Sequence, residues 1–485
     1  MASPSIKTPD TEAKGSQEII SIALDTESVL GIADSGKPRK DPIKWSQAVE
    51  PIISKTLQVH PACLEFAPAN ISSTVYPPSI REFARESFVV GTYQLTEEVK
   101  DDDGKNPTDD GYQKRVGGVS LFRLQGHKLS LQESLFKEYG VYDLKFLPYH
   151  PIFAAATTVG RIVIFQLQQV PHEEGGQNNL QMKEIISHLV FADNIIIISI
   201  AWFPLQRASD ETRIMAVTVE DGGVYLVRFN DEFKSYEILN HRAPLHEHVY
   251  KTPYFENQER VWSCAFSTPF PDRVFSGGDD NYLRVSTLNL PPTALEDIQE
   301  RKNVQTTDDS LFGIKMAFSA GVTSILPLPI VESSQCSSIL LVGSYDCHLR
   351  LCMMSGTSED GVARIPSFSC SVDLALDGGV YRLRFLQPYS VVQTQEEVSF
   401  KVLACCMHAG AKILEVKRSM TGTWSISILA EVKDNVSMCY AADVQPLLTP
   451  PDDELPLTGN EKRICISSSW SDSKLSVWSF DPKAV

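Results

Sequence analysis

Apolar residues recur along this chain in short runs broken by clusters of small and polar residues. One copy of the pattern reads Arg273-Val274-Phe275-Ser276-Gly277-Gly278-Asp279-Asp280-Asn281-Tyr282-Leu283-Arg284-Val285, and it returns as Leu341-Val342-Gly343-Ser344-Tyr345-Asp346-Cys347-His348-Leu349-Arg350-Leu351. Each copy predicts an apolar strand, a tight turn carrying Asp, and a second strand with Arg. One such unit cannot bury its apolar face alone, but stacked copies can. Aligned units begin at Ala62, Val141, Ile195, Val261, Val322, Val380 and Cys439. About seven units is the number of a common closed β-propeller, so an all-β ring is the expected fold.

Several units carry a further candidate strand, such as Phe233-Lys234-Ser235-Tyr236-Glu237-Ile238-Leu239 and Thr423-Trp424-Ser425-Ile426-Ser427-Ile428-Leu429, which reads as the outer edge of its blade. The last unit ends at the C-terminus without one. The N-terminal run Glu18-Ile19-Ile20-Ser21-Ile22-Ala23-Leu24 could supply it and close the ring, removing exposed sheet edges. Residues 1–15 read as a disordered tail, and 16–485 as a single propeller with surface inserts at about 25–56, 100–116 and 447–460.

The net charge of -17 argues against a nucleic-acid partner, which favours a basic stripe, and fits both solubility and a cationic partner. The ten Cys form no C-x-x-C pair, and Cys405 and Cys406 sit in an apolar run as buried thiols rather than zinc ligands or disulfides. No apolar run is long enough to span a membrane, and the first residues lack a leader-like apolar stretch, so a cytosolic or nuclear chain is expected, with the cytoplasm as the assigned place; a monomer is expected as well. No P-loop, dinucleotide fingerprint or G-x-S-x-G elbow is present. His246 and His248 form an H-x-H pair with no third ligand in view and read as surface loop.

Three registers bear on chemistry. The tight turn repeats Asp at Asp221, Asp280, Asp346 and Asp472, where a carboxylate pins the turn through local hydrogen bonds. In Cys405-Cys406-Met407-His408-Ala409-Gly410-Ala411-Lys412-Ile413, His408 takes that Asp's place; it is either a substitute turn residue or a proton-transfer group. The third register opens each inner strand, four residues before its apolar anchor, and holds Tyr142, Trp262, Tyr381 and Tyr440, with Ser199 in the third unit. In a ring, equivalent positions face one axis, so these aromatics either pack blades together or line the channel mouth, where aromatic faces attract cations.

The segments Val274-Phe275-Ser276-Gly277-Gly278-Asp279-Asp280, Gly343-Ser344-Tyr345-Asp346, Gly378-Gly379-Val380-Tyr381-Arg382-Leu383, the stretch around His408, and Tyr440-Ala441-Ala442-Asp443 resemble the WD-repeat family of diphthine methyl ester hydrolases, called diphthine methyltransferase in older usage. The chain departs from that pattern in its decayed Trp-Asp dipeptides, Val285-Ser286 and Leu351-Cys352, and in Phe318-Ser319 where a His is expected. The resemblance implies a seven-bladed WD-repeat-like β-propeller that removes the methyl ester from methylated diphthine on elongation factor 2, without a cofactor. Ester hydrolysis needs a base and donors for a developing oxyanion. The candidates are His408 as base, Asp443 or Asp346 to orient it, and Tyr440 or backbone amides as donors. Tyr142, Trp262, Tyr381 and Tyr440 would hold the substrate's trimethylammonium group. The competing reading is a non-catalytic scaffold or adaptor, because fold alone does not decide activity.

Overall fold

The computed structural model describes residues 47–484 apart from 69–70, 72–77, 97–113, 171–178, 206–211, 240–241, 252–255, 289–305, 308–317, 331–335, 356–366, 387–397, 434–436 and 448–460. The expected tail at 1–15, and nearly all of the inserts at 100–116 and 447–460, therefore lie outside the described residues. Within them the chain is a seven-bladed β-propeller of antiparallel sheets. The inner strands are Pro61–Phe66, Val141–Phe146, Ile197–Trp202, Val261–Phe266, Val322–Pro327, Arg382–Phe385 and Ala442–Val444. Each packs on the next, and the last packs on the first, which closes the ring.

Burial follows position in the blade. The second strand of blade 3, Ile214–Val219, is buried at every residue because it has strands on both sides and blades on both faces. The outer strand of blade 1, Lys128–Lys137, alternates exposed and half-buried side chains, as an edge with one wet face must. The outer strands expected near Phe233–Leu239 and Thr423–Leu429 are Tyr236–Ile238 and Trp424–Val432.

The ring closes from the N-terminal side, but through Ile53–Thr56, which pairs antiparallel with Lys474–Val477 as the fourth strand of blade 7. The run Glu18–Leu24 lies outside the described residues. Ile53–Thr56 falls inside the segment 25–56 that reads as an insert, and Gln47–Ala48 adds a parallel strand to the outer edge of blade 6. The physical reason is proximity. Leu57 N–H donates to the Ser473 carbonyl at 2.7 Å, and the chain enters the inner strand of blade 1 at Pro61 a few residues later. Lys55 lies 5.5 Å from the Phe122 ring, tying the closing strand to blade 1 as well.

The turn carboxylates behave as expected in three blades. Asp221, Asp280 and Asp346 each accept the backbone N–H two residues ahead, at 3.3, 3.1 and 3.1 Å. His246 and His248 are not surface residues: they are 2% and 0% exposed. His248 bonds Asp280 through Nδ1 at 2.8 Å and Ser276 Oγ through Nε2 at 2.8 Å. His246 bridges Ser276 Oγ at 2.6 Å and Ser286 Oγ at 2.9 Å. Burial first, despite Asp280 opposing it at His248, pushes both imidazoles below their usual range, so they serve as neutral relays. This buried chain joins blades 3 and 4 at Ser286, where the Trp-Asp dipeptide has decayed.

A prediction tests the closure. Removing residues 1–46 should leave a cooperative thermal transition. Removing residues 1–57 bares the Lys474–Phe480 edge and should lower the melting temperature and promote self-association, read by calorimetry and light scattering.

Candidate functional site

The site follows from how the inner strands begin. In blades 1 to 5 the pairing slips by one residue between the inner and second strands, at Pro61/Cys63, Val141/Asp143, Ile197/Ser199, Val261/Ser263 and Val322/Ser324. A β-bulge of this kind re-aims side chains. It gives the channel two successive tiers from consecutive residues. The bulge register holds Ala62, Tyr142, Ile198, Trp262 and Thr323, with Tyr381 and Tyr440 as its counterparts in blades 6 and 7. Ile198, not Ser199, is the blade 3 member, because Trp202 rather than Phe203 closes that inner strand.

The second strands run back to the same end of the channel, so the residues just past them join the tier. Tyr345 and Trp470 do so, Tyr93 joins from near the end of the second strand Ser87–Leu95, and together the rings make one continuous series. Tyr142 stacks on Tyr93 at 4.8 Å, Tyr93 meets Trp470 at 5.6 Å, and Trp470 meets Tyr440 at 6.2 Å. Tyr440 then meets Tyr381 at 4.7 Å, Tyr381 meets Trp262 at 6.2 Å, and Trp262 meets Tyr345 edge-on at 5.6 Å. Trp262 Nε1–H donates to Asp279 Oδ1 at 2.6 Å, placing a carboxylate in the wall. Burial, ahead of all other influences, raises the phenols of Tyr93, Tyr345, Tyr381 and Tyr440, so all four keep their protons at neutral pH. Burial also raises the Asp279 carboxyl, against the Trp262 hydrogen bond.

Beneath the aromatics lies a layer of crossed ion pairs. Arg382 Nη1 donates to Asp143 Oδ1 at 2.7 Å, from blade 6 to blade 2. Arg384 reaches Glu65 of blade 1 at 3.1 Å, and Lys145 reaches Asp143 at 3.1 Å and Glu65 at 3.8 Å. Asp143 is 0% exposed and also accepts Ile200 N–H at 3.1 Å. Burial alone would raise its carboxyl, but Arg382, Lys145 and these hydrogen bonds win and hold it well below the usual carboxylate range. A cavity of about 600 Å³ lies along the lower channel, lined among others by Glu65, Lys145, Arg384, Asp443 and Arg463. Trp262 and Tyr381 of the aromatic tier also line this cavity, and the tier combines cation-attracting faces with half-buried proton donors.

The diphthine methyltransferase of Saccharomyces cerevisiae is 24% identical over 396 residues, covering 77% of this chain and 92% of its own length. That of Schizosaccharomyces pombe is 21% identical over 84% of this chain and 98% of its own. The chain is a homologue of the diphthine methyltransferases. The Mus musculus protein of that name is 24% identical over 73% of this chain, which spans 63% of it. No family model matches. Among solved structures, Sqt1 from Chaetomium thermophilum superposes with a TM-score of 0.48 at 12% identity, over 90% of this chain and all of that one.

In this homologue of the diphthine methyltransferases, Tyr142, Trp262, Tyr381 and Tyr440 come together as one cluster. His408 is exposed in the turn between the second and third strands of blade 6. It is not a substitute for the turn Asp: the turn closes on backbone bonds, Ala409 N–H to Cys406 O at 2.8 Å and Gly410 N–H to Met407 O at 3.1 Å. The antiparallel bridge between Met407 and Cys439 sets His408 at the seam with blade 7, on the Met438 side rather than the Tyr440 side. The two carboxylates expected to orient it are committed elsewhere. Asp346 pairs with Arg350 at 2.9 Å and accepts Ser319 N–H at 3.1 Å in blade 5. Asp443 accepts Phe66 N–H at 2.8 Å and Val444 N–H at 2.9 Å, at the level of the lower cavity. Sequence reasoning missed Tyr93, Tyr345, Trp470 and Asp279. Their signal is the end of each second strand: Tyr345, Trp470 and Asp279 directly follow theirs, and Tyr93 stands near the end of its own.

Among the described residues, no group of three or more His, Cys, Asp or Glu side chains is placed to hold a metal ion, and no helix is long and apolar enough to cross a membrane.

Two predictions follow from this geometry. Tetramethylammonium should bind at the aromatic tier, more tightly as pH rises through the raised Asp279 titration, since the cation favours the ionised carboxyl. Calorimetry should show Trp262→Ala weakening it by about 1–2 kcal/mol, and Asp279→Asn removing the pH dependence. In the ion-pair layer, Asp143→Asn leaves Arg382 buried without its counter-charge and should cost about 3–5 kcal/mol in denaturant unfolding. Because the folded value of Asp143 is depressed, its contribution is present above the ordinary carboxylate range and fades as pH falls toward the depressed value.

Proposed function

We propose that this protein is a carboxylic-ester hydrolase that removes the methyl ester from methylated diphthine on elongation factor 2, a step in diphthamide biosynthesis, and that it acts as a cytoplasmic monomer. The names of its relatives support a place in that pathway. The observation that carries the reaction is the unbroken series of rings from Tyr142 to Tyr345 with Asp279 in its wall. Methylated diphthine bears a trimethylammonium and a methyl ester on the same carbon. A site that holds the cation on aromatic faces therefore holds the ester carbonyl within reach of whatever lines the same tier.

Water adds to that carbonyl, the tetrahedral oxyanion accepts hydrogen bonds, and collapse expels methanol and leaves a carboxylate. The phenols of Tyr381 and Tyr440, kept protonated by burial, are the donors suited to the oxyanion. Tyr142 and Trp262 supply faces for the cation. His408, exposed on the rim, is placed to meet the folded body of the protein substrate. Asp346 and Asp443 act in this scheme through the turn and channel wall they hold.

The test is mass spectrometry of elongation factor 2 from cells lacking this protein, with the purified chain added back. The expected result is accumulated methylated diphthine that loses one methyl group on add-back, with methanol released. Gain of a methyl from a donor would indicate a transferase. Normal diphthamide in the deletion, with no change on add-back, would leave only the scaffold reading.

A further inference from the structure

We propose that His60 is the general base of this site, an assignment that rests on the ester-hydrolase reading. His60 sits between the closing strand and the inner strand of blade 1, and no repeat register includes it. Its ring lies 4.4 Å from the Trp470 ring, itself a member of the aromatic tier, and its backbone carbonyl accepts Tyr93 N–H at 3.1 Å. Two neighbouring members of the tier thus flank it. Blade 1 contributes only Ala62 to the bulge register, so the wall next to His60 carries no ring of its own from that strand.

The hydrogen bonding sets the tautomer. His60 Nδ1 lies 2.8 Å from the Trp470 carbonyl oxygen and 2.8 Å from Ser473 Oγ. A carbonyl can only accept, so Nδ1 carries a proton, and in the neutral ring the lone pair is on Nε2. Among the described residues Nε2 has no hydrogen-bond partner, and His60 is only half-buried. An imidazole held by one nitrogen, with the other unprotonated and open beside the substrate tier, is the arrangement a general base requires. His408 has no such anchor.

The step balances without any co-reactant. Nε2 takes a proton from water as the water oxygen bonds to the ester carbonyl carbon. The imidazolium returns that proton to the methoxy oxygen as its bond to carbon breaks. Methanol leaves, and the new carboxylic acid loses its proton to solvent.

The test uses the full-length chain and elongation factor 2 bearing methylated diphthine, with methanol release as readout. His60→Asn keeps an amide N–H where Nδ1–H stands, so it preserves the bond to Trp470 and removes only the base. Turnover of His60→Asn should fall by about 100-fold to 10,000-fold, with KM little changed and the thermal transition intact. Added imidazole should restore turnover to His60→Ala, in proportion to its free-base form, which a packing role would not produce. His408→Ala should instead raise KM. If the wild type turns over and His60→Asn does so equally well, this assignment alone is overturned. If the wild type releases no methanol, the ester-hydrolase reading falls and the assignment with it.

Discussion

Everything the channel can do depends on one extra residue at the start of the inner strands. A regular strand turns alternate side chains to opposite faces, so a channel lined by regular strands receives every second residue. The bulges break that rule at the upper end and let consecutive residues face inward. Tyr142 and Asp143 can therefore occupy adjacent tiers. The aromatic tier needs the ion-pair tier beneath it. Stacked aromatic rings over an open, wet channel would face water from both sides. Over a buried Arg382–Asp143 pair they face a polar, charge-paired support. The pair is costly to bury and costly to break, so the register of the strands that carry it has little freedom.

Much of the fold is legible from periodicity, because a blade is a repeated solution to one packing problem. The four aromatics of the bulge register recur at one offset from an apolar anchor, and the structure unites them. The reading slips at Ser199, where Phe203 looks like the anchor and Trp202 is the strand's last residue. It stops short of Tyr93, Tyr345, Trp470 and Asp279 because their place depends on how far each second strand runs before its turn. His408 is correctly aligned with Asp346: the connecting segments 344–348 and 406–410 are equal in length between paired strands. What alignment cannot tell is that a turn with left-handed residues at Met407 and Gly410 closes on its own backbone. Among the described residues the imidazole is then left without a carboxylate to orient it. His246 and His248 look exposed because polar residues between strands ordinarily are. Their burial comes from Ser276, Asp280 and Ser286, partners some thirty to forty positions away.

His60 was out of reach for a different reason. Its partners Trp470 and Ser473 stand 410 and 413 positions along the chain. No local pattern encodes such a pair. It exists because Ile53–Thr56 completes the last blade and delivers the next few residues to the first. The same closure brings Trp470 against Tyr93, joining the aromatics of blades 1 and 2 to those of blades 6 and 7. A chain with six blades formed and the seventh open would hold Tyr142, Trp262, Tyr381 and Tyr345 near their places. It would lack the seam where Tyr93, Trp470 and His60 meet. The candidate site is thus completed by the most non-local pairing described above, one that is expensive in loop entropy. That gives the decay of the Trp-Asp dipeptides a physical reading. Blades inside the ring can lose a local staple and keep their neighbours, as blade 4 does through His246 and Ser286. The closing seam has no neighbour to spare, and its contacts are also the ones that shape the site.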